Sequence, residues 1–396
     1  MHWVLRGVLV CIAVAALPAA AAPLLVADFE RDPAGEGWIT AGAPNDPGAP
    51  RWVEAADAPA GPHALAARTG YWASPLLPVT PGAYYRLDVS VKAEGNGYWH
   101  AWCYRVDAET PETEPAIISG TCSQLEAAGA WTPRVMWFRA DRGVTHCRVV
   151  FQPLNGKPIL VDGVSVRPIA RHDVVACQDA VYATMPPLGY TPPKDRWQRL
   201  AATKRALQRG RSLRVVMLGD SNVNDIASSD WHLRVERACR GARLETIVSV
   251  LGSTGCWFYK EPEQLKTYVL DHRPDLLIIG GISHNNDLAS IRAVIRGVRA
   301  AGKTEIVLMT GTAPRQDPAT GTAWTLAVDP AGTDYRGKLA RLAREEHVAY
   351  LDLCGPFFQY LAAAGHGEEW VYRDTYHFND RGKHALARIL AAYFTP

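Results

Sequence analysis

Two hydrophobic rhythms divide the chain. From Leu24 to about Pro168, short apolar or alternating runs recur between Gly and Pro punctuation, at 84–91, 98–106, 135–140, 147–151 and 159–166. A period of two sends successive side chains to opposite faces, so these runs predict strands. Several short strands with turn signals and no helical period predict a β-sandwich or jelly roll. After Gly210 the pattern changes. Apolar runs at 215–218, 246–250, 276–279, 306–309 and 348–353 alternate with helical stretches, such as Leu288, Ile291, Ile295 and Val298 ahead of Gly302. Short apolar strands alternating with amphipathic helices predict an α/β domain with a parallel sheet covered on both faces.

The two regions are joined by 169–210. Here 169–193 reads as an irregular, proline-containing linker, and 195–210 as a helix carrying Trp197, Leu200, Ala201 and Leu207 before the Gly210 stop. The basic residues in and around that helix, from Lys194 to Arg214, read as a solvated face. Residues 1–22 have Arg6, an apolar core from Val8 to Leu17, then Pro18 and alanines with an Ala19-x-Ala21 site. That is the pattern of a secretory signal peptide, so a secreted or periplasmic protein is expected, with no membrane association after cleavage. The expected divisions are therefore 1–22, 23–168, 169–210 and 211–396.

Charge narrows the function classes. Of 396 residues, 42 are Lys or Arg and 40 are Asp or Glu. Loss of 1–22 removes Arg6 alone, and so even a balance argues against nucleic-acid binding. Cys11 leaves with the same segment. Seven cysteines remain, three of them (Cys103, Cys122, Cys147) in the first domain, where a disulfide fits an exported protein without its pairing being readable. No Cys-x-x-Cys and no His cluster has zinc spacing, so neither a metal nor another cofactor is expected.

The candidate chemistry lies where the apolar runs stop. The 215–218 run ends in Gly219, Asp220 and Ser221, which puts a hydroxyl at the carboxyl edge of a sheet, where open α/β sheets bind ligands. Capping of the next helix is the plain alternative for Ser221. Near the other end of the chain, Asp374 stands three residues before His377, directly ahead of the final helix. A serine hydroxyl needs a base to take its proton, and the base needs an acid to hold its tautomer. Ser221, His377 and Asp374 are candidates for those roles. His232, His272, His284, His347, His366 and His384 lack such an upstream carboxylate, and Cys256 reads as packing rather than as a thiol nucleophile.

With the Gly219-Asp220-Ser221 block and the Asp374-x-x-His377 block both present, 211–396 resembles the SGNH (GDSL) hydrolase family. The resemblance implies a three-layer α/β/α fold and a catalytic triad of Ser221, His377 and Asp374. It also implies an oxyanion hole built from the nucleophile's N–H, a Gly N–H after the second strand and an Asn side chain after the third. On this chain those are Ser221, Gly255 in preference to Gly252, and Asn285. The third block, Gly280 to Asp287, departs from the family's Gly-x-Asn-Asp, which leaves Ser283 and Asn286 as rivals. The opening Asp28-Phe29-Glu30, the strand entry at 81–87 and the closing run 160–166 are similar to the galactose-binding-like jelly rolls of carbohydrate-binding modules. Trp38, Trp52, Trp72, Trp99, Trp102, Trp131 and Trp137 lie in this region, each read as core before ligand platform. Trp99 and Trp102 have opposite strand parity, one inward and one outward.

Together these readings imply a secreted serine esterase that removes O-acyl groups, above all acetyl, from a polysaccharide or oligosaccharide. An acyltransferase, or a short-chain lipase or thioesterase on the same triad, is one alternative. A glycan-binding protein with a degenerate hydrolase domain is the other.

Overall fold

The computed structural model describes residues 22–43, 45–104, 117–312, 328, 331–332 and 334–396. All of the expected signal segment except Ala22 lies outside the described residues, as do 105–106 of one expected strand. The first domain has strands β1 (Leu25–Ala27), β2 (Ile39–Ala41), β3 (Arg51–Glu54), β4 (His63–Ala67), β5 (Tyr71–Ala73), β6 (Leu77–Pro78), β7 (Tyr84–Ala93), β8 (Gly97–Tyr104), β9 (Ile117–Leu125), β10 (Ala128–Arg139), β11 (His146–Pro153) and β12 (Ile159–Ile169). They form two antiparallel sheets, β10-β7-β12-β4-β3 with β1 beside β12, and β2-β5-β11-β8-β9 with β6 beside β11. Alternate residues point inward, so Leu87, Val89 and Val91 of β7 meet Trp99, Ala101 and Cys103 of β8 in one core. Trp38, Trp72 and Trp99 belong to that core, whereas Trp52 is 38% exposed. Trp102 lies on the outer face of β8, opposite to Trp99. Cys103 and Cys147 stand directly across from each other in β8 and β11.

The linker is more ordered than its prolines imply. Residues expected to be irregular contain helix α1 (Arg171–Ala183), which buries Val174, Val175, Gln178 and Tyr182. Its inner stripe includes a polar residue, Gln178, whose amide donates to the Ser229 carbonyl at 2.8 Å, and this hides the helical period from an apolar count. The helix expected at 195–210 is in turn broken. One 3-10 turn (Arg196–Arg199) leads through the fully buried Leu200 into α2 (Ala201–Gln208).

The second domain continues with β13 (Ser212–Gly219), α3 (Ser221–Ala227), α4 (Trp231–Ala238), β14 (Arg243–Val250), α5 (Cys256–Tyr259), α6 (Pro262–Tyr268), β15 (Leu276–Ile279), α7 (Leu288–Ala301), β16 (Glu305–Met309), α8 (Tyr335–Glu345), β17 (Ala349–Leu351), α9 (Cys354–Ala364) and α10 (Asp380–Phe394). The sheet is parallel, in the order β14-β13-β15-β16-β17. Helices cover both faces. Val215 and Met217 pack with residues of α3, α4, α9 and α10, while Val216 and Leu218 pack with residues of α5, α6, α7 and α8. The first strand, β13, sits between the second and third, so the strand order reverses beside it. Such a switch point opens a crevice at the carboxyl ends of the strands. Among the described residues no helix is long and apolar enough to cross a membrane.

The domains meet along a polar seam. Tyr84 of β7 reaches Asp230 at 3.2 Å and His232 at 3.1 Å, Ser123 of β9 donates to Asp380 at 2.8 Å, and Arg171 pairs with Glu236 at 2.6 Å.

Candidate active site

Ser221 is the first residue of α3, separated from β13 by Asp220 alone, so it lies at the switch point. Asp220 caps this helix, its Oδ1 accepting the Asn222 N–H at 3.0 Å. The other carboxylate oxygen accepts the N–H groups of Ile282 and Ser283 at 2.8 and 2.7 Å, tying the loop after β15 to the serine. Gly281 makes that approach possible: its φ is +108°, and a Cβ there would lie 2.7 Å from the Asp220 carboxylate.

The structure brings His377 to Ser221, with Nε2 2.8 Å from Oγ. Both oxygens of Asp374 lie 2.9 Å from His377 Nδ1. A carboxylate on Nδ1 fixes the proton there and leaves Nε2 facing the hydroxyl as an acceptor. Burial pushes the Asp374 carboxyl up, but the N–H groups of Tyr376 and His377 and the imidazole more than offset this, and it ends below the usual carboxylate value. The acid thus stays ionised beside the ring. The Asp374 and His377 side chains are 37% and 29% exposed, so the site opens to solvent.

A clamp that the sequence reading did not identify holds the loop of Asp374 and His377 against the helix that begins at Ser221. Tyr372 and Phe378 bridge as a short antiparallel pair, and Arg373 N–H donates to the His377 carbonyl at 2.9 Å. Arg373, one residue before Asp374, pairs at 2.8 Å with Asp225, one helical turn beyond Ser221. These two side chains are 9% and 2% exposed, and Asp225 also accepts the Phe378 N–H at 3.0 Å. Asn222 adds a second tie by donating to the Tyr376 carbonyl at 3.0 Å. Tyr98 of the sandwich reaches the Arg373 carbonyl at 3.4 Å. The only local signals for this clamp are an acid at i+4 from the serine and an Arg beside the Asp-x-x-His pair.

The remaining predicted residues line the adjoining loops. Gly255 caps α5 in an extended conformation, and a Cβ there would come 2.4 Å from the Ser283 carbonyl oxygen. Among the described residues, the N–H groups of Ser221 and Gly255 have no acceptor. Gly252 stands in open space on the same loop. In the third block it is His284 that is buried. Its Nδ1 accepts the Cys256 N–H at 3.1 Å and its Nε2 donates to the Gly280 carbonyl at 2.9 Å, pinning two loops together as a neutral ring. Burial keeps its pKa low. Asn285 and Asn286 are exposed, with left-handed φ of 52° and 58°, and lead into the Asp287 cap of α7. Cys256 is fully buried, which pushes its thiol up and leaves it protonated. Among the described residues no group of three His, Cys, Asp or Glu side chains could hold a metal ion.

No protein-family model matches the chain, and neither does any curated protein. Among solved structures, a two-domain esterase (CEX) active on acetylated mannans, co-crystallised with mannopentaose, matches 50% of this chain at 16% identity and a TM-score of 0.40. That match spans about half (52%) of the esterase's own length. A family two carbohydrate esterase from Cellvibrio japonicus matches 93% of this chain and 95% of its own, at 12% identity and a TM-score of 0.30. The CBM22-1 xylan-binding domain of Paenibacillus barcinonensis Xyn10C matches 38% of this chain and 96% of its own, at 15% identity and a TM-score of 0.28. With TM-scores this low, none of these likenesses decides the fold or the activity of the chain.

Proposed function

We propose that this chain is an exported serine esterase of the SGNH type that removes O-acyl groups, above all acetyl, from a polysaccharide or oligosaccharide. The observation that carries the reading is the continuous relay from Asp374 through His377 to Ser221, at 2.9 and 2.8 Å. Ser221 Oγ attacks the ester carbonyl as His377 Nε2 takes its proton, and Asp374 stabilises the imidazolium that forms. The tetrahedral oxyanion draws on the N–H groups of Ser221 and Gly255, with Asn285 as the third donor and Ser283 as its rival. His377 then returns the proton to the leaving alcohol, and water, deprotonated by the same ring, clears the acyl-enzyme.

The sugar part of the proposal rests on the neighbouring sandwich and on the export signal. The test is hydrolysis of 4-nitrophenyl acetate, butyrate and octanoate alongside acetate release from O-acetylated xylan and glucomannan. Acetyl esters should lead. A rate climbing with chain length would move the assignment to a lipase, and transfer to an added alcohol in preference to water would make it an acyltransferase. Glycan binding with no turnover of any ester would leave the degenerate-hydrolase reading.

A further inference from the structure

In the second domain the described residues expose three large hydrophobic side chains: Leu251 at 43%, Trp257 at 42% and Tyr376 at 50%. A soluble domain commonly scatters such residues over its surface. Here all three lie in the segments that follow the carboxyl edge of the sheet, Leu251 and Tyr376 on loops and Trp257 on the short helix α5, and each is tied to the segment that bears the serine. Leu251 N–H donates to the Gly219 carbonyl at 3.3 Å. The Tyr376 carbonyl accepts from Asn222 at 3.0 Å. The Trp257 indole N–H donates to the Ser283 carbonyl at 3.1 Å, and Ser283 N–H in turn donates to Asp220 at 2.7 Å. The backbone of Leu251 and of Tyr376 and the indole of Trp257 are thus fixed beside the segment that bears Ser221, and all three side chains are left in water.

Exposed rings anchored beside a candidate reactive centre, one through its indole N–H and one through its backbone, are a ligand surface in waiting. Two classes of occupant suit them: an acyl chain, or the C–H face of a sugar ring. An acyl chain gains most from an enclosed aliphatic groove that removes it from water along its length. Trp257 and Tyr376 instead present flat faces with polar edges, and the Trp257 N–H is already satisfied by backbone. A flat face with a wet edge matches a pyranose, whose axial C–H groups are apolar and whose hydroxyls point outward.

We infer that Trp257 and Tyr376 are the sugar-binding subsite of this enzyme, stacking on the pyranose that carries the scissile ester. This rests on the esterase reading above and assigns recognition of the alcohol part of the substrate to the second domain itself. The sandwich is then not required for a sugar ester to be chosen.

The test compares two acetates that share an acyl group and differ in the alcohol, methyl 6-O-acetyl-glucopyranoside and ethyl acetate, with 4-nitrophenyl octanoate as an acyl-chain probe. In Trp257→Ala and in Tyr376→Ala, the ratio of kcat/KM for the sugar acetate to that for ethyl acetate should fall about ten-fold, the worth of one stacked ring. The loss should appear mainly in KM. Trp257→Phe and Tyr376→Phe, which keep a ring, should retain most of the ratio, and both positions are exposed enough for the variants to fold. An unchanged ratio in both alanine variants overturns the inference, as does a loss confined to the octanoate. Wild-type enzyme that cleaves ethyl acetate but shows no preference for the sugar acetate overturns it while leaving the esterase reading in place. Wild-type enzyme that cleaves none of the three esters removes the esterase reading and the inference with it.

Discussion

The sandwich and the parallel sheet dispose of their polar residues in opposite ways. A strand of the sandwich buries every second side chain, so its other face can carry polar or aromatic residues anywhere along its length, as β8 does with Tyr98, His100 and Trp102. The central strands β13 and β15 are enclosed on both faces, and β15 is buried at all four positions. Polarity can enter only where such strands end. Asp220 and Ser221 follow β13, Gly255 lies in the loop after β14, and Ser283 and His284 follow β15, so the chemistry gathers at one edge. Doubly covered strands thus focus function in a way that singly covered strands do not.

The most direct way to break this contrast is to remove the groups at the edge. Ser221→Ala and His377→Ala should each lower kcat on 4-nitrophenyl acetate by about 10⁴-fold or more, because triad members act as a unit. Asp374→Asn should cost as much or less. Far-UV circular dichroism should be unchanged in all three, and wild-type turnover by folded Ser221→Ala would end the mechanism. The next largest effect belongs to the third block. Asn285→Ala should lower kcat by roughly 10²–10³ with little change in KM, as for the loss of one oxyanion donor. If Ser283 holds that role, the large loss moves to Ser283→Ala. If both variants keep full turnover, the hole has only two donors.

What could be read from the sequence follows the same division. The strand runs of the second domain, the Gly219-Asp220-Ser221 turn and the Asp374–His377 pair were legible because a doubly buried strand and a local acid–base pair leave short-range patterns. Asp225 and Arg373 were not, since they are 148 residues apart and neither is unusual where it stands. His284 was counted only as a rival base, and its role as a pin between two loops depends on contacts to Cys256 and Gly280. Helix α1 was missed because a buried Gln interrupts its apolar stripe. Long-range partners leave no local period, and this is what limited the reading.

The clamp offers a smaller test, in which stability and activity should move together. Asp225→Asn leaves Arg373 buried without its counter-charge, and breaking such a pair costs about 3–5 kcal/mol. The urea midpoint should fall accordingly. The surviving folded protein should show reduced kcat, because the loop carrying Asp374 and His377 loses its tie to α3. Arg373→Lys should recover part of the stability and less of the activity, since an ammonium does not reproduce the guanidinium's fork. Equal kcat in all three proteins would make the clamp purely structural.

The smallest effect concerns the seam, where buried groups pull the pH dependence in opposite directions. His100, His232 and His384 are all at or beside the junction of the two domains, and burial is the main cause that lowers each pKa, to about 4 for His100 and for His384. His384 lies between Trp137 of the sandwich and Tyr182 of α1, with ring centroids 5.4 and 5.3 Å away. Below the ordinary histidine value of 6.5, the unfolded chain takes up protons that these buried rings refuse. Their contribution to stability is therefore lost as the pH falls from about 6.5 toward 4, at roughly 1.4 kcal/mol per pH unit for each group. Asp230, pushed up to about 7 chiefly by burial, runs the other way: between 3.8 and 7 the folded state keeps a proton that the unfolded state gives up. It offsets about one histidine. His284, inside the second domain, adds to the acid loss. Urea melts should thus show lower stability at pH 5 than at pH 7. His384→Gln should flatten that slope by about one group's worth, and Asp230→Asn should steepen it. A profile unchanged by either substitution would mean that the seam rings are not held neutral, and that acid acts elsewhere in the fold.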